Sequence, residues 1–196
     1  TVATSDCGRI FDQVAPLARK LALARKSWLE PRHYATDPGQ GFGVHLLHEE
    51  PDALFRFHVG RSRSQAYLFL ISGSFTSTEV RYLAAGDPGG AGRMVLPREP
   101  DHEYQVDHGV GPAGDVFYIR TNGGGRRNFR LVAAPVDDPH AGRWREVIAH
   151  RPDVMLEDVD VFARHHVVHE REDGLIRLRV TDVDTGAYHH VEFPEP

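Results

Sequence analysis

The sequence predicts an all-β protein built from repeated sheets, and three observations carry that prediction. Pro-Asp recurs at residues 51–52, 100–101 and 152–153, at spacings of 49 and 52 residues. The segments that these pairs delimit each hold four short runs rich in Val, Ile, Leu, Phe and Tyr, many alternating apolar with polar residues, which is the period-two pattern of strands. The third run of each unit carries an arginine between apolar residues, at Arg81, Arg130 and Arg177. Four strands per unit, repeated at roughly 40–50 residues, are the signature of a β-propeller blade. A β-sandwich also predicts many short strands, but it does not predict an aligned repeat. The expected fold is therefore a partial β-propeller of about three four-stranded antiparallel blades plus a remnant of a fourth, with an N-terminal helical segment.

The elements follow in order. Residues 14–29, "VAPLARKLALARKSWL", place Leu17, Leu21, Ala24 and Trp28 on one helical face, with Arg19, Lys20, Arg25 and Lys26 off it. Pro16 suits a first helical turn and Pro31 ends the run. This stripe is expected to pack on a neighbouring sheet rather than on a membrane surface. "EPRHYATDPGQG" reads as a linker, so residues 1–43 form a helix-and-linker unit and 44–196 the partial propeller. "FGVHLLHEE" is the remnant of the fourth blade. The full blades are expected at about 54–101, 102–153 and 154–196, with turn signals at 61–65, 111–114, 122–125 and 173–174. A closed propeller needs about four to eight blades, so this stretch should leave raw sheet faces.

Composition excludes several classes. A chain of 196 residues with 40% hydrophobic and 26% charged content can bury one sizeable core. A net charge of −5 without a dominant basic patch argues against nucleic acid as the main partner. No apolar run reaches the roughly 20 residues that span a bilayer, and the first residues lack a signal-peptide pattern, so a cytoplasmic location is expected without a membrane partner. Cys7 is the only cysteine, which excludes an intrachain disulfide and a cysteine-rich zinc site.

Several long stretches carry a resemblance. "VGRSRSQAYLFLISGSFTSTEVRYL", "VLPREPDHEYQVDH", "FYIRTNGGGRRNFRLVAAPV" and "HRPDVMLEDVDVF" with "VVHEREDGLIRLRV" resemble the propeller domain of oligopeptidase B (protease II), a branch of the prolyl oligopeptidase family of serine peptidases. The likeness covers about residues 47–196. It implies a seven-bladed propeller capping an α/β-hydrolase domain that cleaves short peptides after Lys or Arg. It also implies that the catalytic Ser, Asp and His lie in that other domain. Nothing in this sequence matches the G-x-S-x-G nucleophile elbow, and "SGSFTS" (72–77) lacks its second glycine, so no catalytic residue is expected here.

"HEYQVDH" (102–108) looks at first like a metal motif, since it holds His102, Glu103, Asp107 and His108. On a strand, His102, Tyr104, Val106 and His108 share one face, and the outer histidines lie roughly 20 Å apart, too far for one ion. No metal or cofactor is expected. "LEDVDVF" (156–162) occupies the same position one blade later, as an innermost strand. Glu103, Asp107, Glu157 and Asp160 are thus candidate channel residues that would attract short basic peptides, the alternative being solvated strand-end charges. Arg61 and Arg63, at a loop tip in "GRSRS", are candidates for pairing with carboxylates across a domain interface, or are solvated turn residues.

The expected function is the non-catalytic gating, or substrate-filter, portion of an oligopeptidase-B-like serine peptidase, inactive alone. Its partners would be the missing hydrolase domain and the remaining blades. The alternative is a stand-alone, propeller-derived binding or scaffold module that self-associates through exposed blade faces.

Overall fold

Strands that alternate apolar and polar residues leave an apolar face that must be covered, so each unit needs a neighbour to pack on. The computed structural model describes residues 32–37, 43–87, 90–111 and 114–193. A hairpin comes first, β1 (Arg32–Asp37) with β2 (Gly43–Glu49). Three four-stranded sheets follow. The first holds β3 (Arg56–Arg61), β4 (Tyr67–Gly73), β5 (Thr78–Ala84) and β6 (Arg93–Leu96). The second holds β7 (Tyr104–Gly111), β8 (Gly114–Thr121), β9 (Arg130–Pro135) and β10 (Arg145–Ile148). The third holds β11 (Val154–Val161), β12 (His165–Glu172), β13 (Leu175–Asp182) and β14 (Tyr188–His190). Within each sheet the strands lie in chain order and every neighbouring pair is antiparallel. Arg81, Arg130 and Arg177 all stand in third strands.

Two expectations fare differently. The linker expected over 30–41 contains a strand, because Arg32–Asp37 pairs in register with β2. A short polar segment of this kind takes its strand character from its partner rather than from its own periodicity. The helix expected over 14–29 lies outside the described residues. Among the described residues the only helical turn is a 3-10 turn at Ala141–Arg143.

Local chemistry sets the turns. Asp173 and Gly174 join β12 to β13 with φ of 51° and 80°, the two positive values that a tight hairpin of matching twist requires. In β11 the apolar residues change phase, from Val154 and Leu156 to Val159 and Val161, and the register shifts between Leu156 and Asp158. That bulge turns the second half of the strand without ending it.

Two of the three core clusters are seams between blades; the third, Leu68, Leu70, Leu83 and Ala85, lies within the first blade. Phe69, Val80, Tyr82, Val95 and Leu96 of the first sheet meet Tyr104, Phe117, Ile119, Val132 and Ala134 of the second. Phe117 is fully buried, with Tyr67, Phe69 and Tyr82 set edge-on around it at centroid distances of 5.3, 5.6 and 4.8 Å. Each buried ring of this size is worth about 2–3 kcal/mol in apolar transfer. The tyrosines also carry polar ties across the seam. Tyr104 accepts the Val80 N–H at 2.7 Å and donates to the Leu96 carbonyl, while Tyr82 donates to the Val136 carbonyl at 2.6 Å. The second seam joins Val116, Tyr118, Leu131, Ala133 and Ile148 to Leu156, Val161 and Val168. Here Gly109 lets two blades touch, since a Cβ on it would fall 2.6 Å from Val161 Cγ1.

Buried ion pairs reinforce both sides. Glu50 is 2% exposed and takes Arg98 through both carboxylate oxygens, at 3.2 and 2.7 Å. Burial alone would raise its pKa, but hydrogen bonds from Arg98, Ser72 and the Asp52 N–H outweigh it and bring the carboxyl down to about 2. Glu170, equally buried, meets Arg151 at 2.5 Å, Arg179 at 3.7 Å and His190 at 3.4 Å.

Candidate substrate channel

The first strand of each blade, β3, β7 and β11, is an edge strand of its sheet. The three converge on one groove of about 820 Å³. Its wall includes His58, Gly60 and Arg61 of β3, Arg63 beyond it, Gln105 and Asp107 of β7, and Asp158 and Val159 of β11. Tyr104 and His108 point into the seam and are buried, whereas Gln105 and Asp107 face the groove.

The two histidines of that motif serve structure. His102 Nε2 is hydrogen-bonded to Thr121 Oγ1 at 2.8 Å, and His108 Nδ1 to Ser64 Oγ at 2.7 Å. Burial lowers the pKa of both. Among the described residues no group of three or more His, Cys, Asp or Glu side chains is placed to hold a metal ion.

The four candidate acids separate. Asp107 accepts the backbone N–H groups of Arg63 at 3.1 Å and His108 at 2.8 Å, and burial raises its pKa against those bonds. Asp160 pairs with the Arg63 guanidinium and lies 3.4 Å from His169 Nε2. Glu157 is held by Arg171 of the neighbouring strand at 2.5 Å. Glu103 is half-buried, and its backbone N–H donates to Asn122 Oδ1 at 2.8 Å. The two arginines separate as well. Arg61 turns back to donate to the Gln65 carbonyl at 3.2 and 2.9 Å, closing its own hairpin. Arg63 crosses to other blades of the same chain.

Sequence reasoning passed over two groove residues. Asp158 is exposed at the bulge, where its carboxylate accepts only the adjacent Val159 N–H at 2.8 Å. The phase change in "VMLEDVDV" was the signal that could have found it. Arg120 of β8 lies 3.5 Å over the Phe129 ring and donates to the Leu156 carbonyl at 2.6 Å. Burial lowers its pKa, opposed by the charges of Asp158, Glu103 and Glu157. No pattern in "FYIRTN" marks that arginine as inward. The wall is therefore of mixed sign, with Arg61, Arg63 and Arg120 among the acids. The serines of "SGSFTS" hold a turn: Ser77 donates to the Glu99 carbonyl at 2.9 Å, and Ser74 Oγ accepts the Ser77 N–H at 3.0 Å.

Three blades whose inner strands wall a groove define the class, a section of a β-propeller. The comparisons place it further. The family described as "Prolyl oligopeptidase, N-terminal beta-propeller domain" matches residues 42–196, and the chain belongs to that family. Dipeptidyl aminopeptidase BI of Pseudoxanthomonas mexicana is 40% identical over 139 residues, covering 71% of this chain and 18% of that protein. Oligopeptidase B from Leishmania major is similar with a TM-score of 0.74 at 26% identity, over 85% of this chain and 24% of that one. Oligopeptidase B from Trypanosoma brucei, in a closed form with covalently bound antipain, gives a TM-score of 0.72 at 26% identity, with the same coverage. The chain thus spans about a fifth to a quarter of the length of these relatives.

Proposed function

We propose that this chain is part of the channel wall of a prolyl-oligopeptidase-family serine peptidase, where it filters peptides for a hydrolase domain and does no chemistry itself. The observation that carries this reading is the groove along three inner strands, lined by fixed charges whose partners lie within the propeller. Short peptides cut after Lys or Arg are the substrates implied by the resemblance to oligopeptidase B. Asp158 supports that preference, because it lines the groove and is not taken up by Arg63 or Arg171, and the charge of Glu103 acts with it on Arg120. Their attraction is moderated by Arg120 beside them. A second reading, removal of dipeptides, is favoured by the 40% identity to a dipeptidyl aminopeptidase.

The test is kinetic. In the complete peptidase, Glu103→Gln with Asp158→Asn should lower kcat/KM for Lys- and Arg-containing peptides about 2- to 5-fold at low salt, and leave neutral peptides unchanged. The loss should vanish at high ionic strength. An equal loss for neutral peptides, or none for cationic ones, would remove the electrostatic preference and leave the filter alone.

A further inference from the structure

Arg63 makes a contact that skips a blade. It stands in the 62–66 turn between β3 and β4 of the first blade. Its backbone N–H donates to Asp107 of the second blade at 3.1 Å, and its guanidinium pairs with Asp160 of the third, 97 residues away in sequence. The same guanidinium lies 4.6 Å from the centroid of the Phe162 ring. Alternate blades of a propeller approach one another only near the axis, where the inner strands converge. β3 ends at Arg61 and β11 at Val161, beside the bridge, and Asp107 stands midway along β7. The bridge therefore lies at one mouth of the channel.

The loop is shaped for this reach. Arg61 closes it on the Gln65 carbonyl, Ser62 Oγ accepts the Tyr67 N–H at 3.0 Å, and Ser64 Oγ bonds His108 at 2.7 Å. Gln65 takes a φ of 64° to turn the chain. The anchor is thus rigid, while the pair it presents is exposed, with side-chain exposures of 46% for Arg63 and 33% for Asp160. A pair this wet is weak beside the buried seams, so it can break without unfolding a blade. His169, 3.4 Å from Asp160, offers that carboxylate a second partner when Arg63 leaves.

We propose that Arg63 is a latch across the channel mouth, tying the inner strands of three blades, and that it sets the length of peptide admitted. This rests on the filter reading above. The latch is a positioning device that need not touch substrate.

The experiment compares two substrates that share a scissile residue, a dipeptide-sized fluorogenic amide and a peptide of about 25 residues, in the complete peptidase. The latch account expects Arg63→Gln and Asp160→Asn each to raise kcat/KM for the long peptide at least 5-fold, with the short amide within 2-fold of wild type. The double variant should go no further than either single one. The exchanged pair, Arg63→Asp with Asp160→Arg, should return the long-to-short ratio towards wild type. An unchanged ratio in both single variants would overturn the latch, and so would an equal fall for both substrates, which marks a purely structural pair. If the wild type already cleaves both substrates equally, the filter reading itself fails; if it discriminates and the variants match it, only the latch fails.

Discussion

His166 is 2% exposed in β12, with Tyr118 edge-on at 4.1 Å and no hydrogen bond to either ring nitrogen. Burial, then the positive charges of His165 and Arg145, brings its pKa down to about 4. It is neutral in the fold, whereas the unfolded chain takes up the proton near pH 6.5. Its contribution is therefore complete above pH 6.5 and declines as pH falls towards 4. That gap corresponds to about 3 kcal/mol at most. Urea unfolding should show stability falling across this window, and His166→Phe should flatten that part of the profile. Identical pH slopes for variant and wild type would contradict it. His166, Val168 and Glu170 alternate along β12 and share a buried face. That this face meets Tyr118 was not legible, because it depends on a strand some 50 residues earlier.

Between elements, the Glu50–Arg98 pair ties the end of β2 to the end of β6. Arg98 also reaches Glu79 of β5 at 3.3 Å and lies 3.9 Å from the centroid of the Phe55 ring. Removing one partner of such a pair leaves a buried charge uncompensated. Arg98→Met should therefore cost about 3–5 kcal/mol in denaturant unfolding, and Glu50→Gln in the same background should recover part of it. Additive losses in the double variant would show that the two side chains do not depend on each other. The sequence marked both residues only as neighbours of Pro-Asp turns. The strands themselves were readable where the period of two was intact, as in "HEYQVDH". β11 was read as a strand, but its bulge hid that Asp158 faces the groove, and β1 was read as linker because pairing outweighed composition.

At the scale of the molecule, the repeat was legible because every blade solves the same packing problem with the same pattern. The fate of the charges was less so. Asp107 and Asp160 read as free channel acids, yet both are engaged by Arg63, which comes from another blade. Contacts near a propeller axis join residues far apart in sequence, and no local pattern encodes them. On the third sheet Ile176 lies on the side turned away from the second seam and is 53% exposed, while Leu175 and Tyr188 stand on the same side as Val168. Seams and groove together describe a section of propeller wall.

The measurement that tests this most directly is hydrolysis of fluorogenic Lys-, Arg- and dipeptide-amide substrates by residues 1–196 alone, beside the complete peptidase at equal concentration. The account predicts a rate for residues 1–196 at the buffer background at every concentration, with full activity in the complete protein. A rate that rises in proportion to the concentration of the 196-residue chain would contradict it.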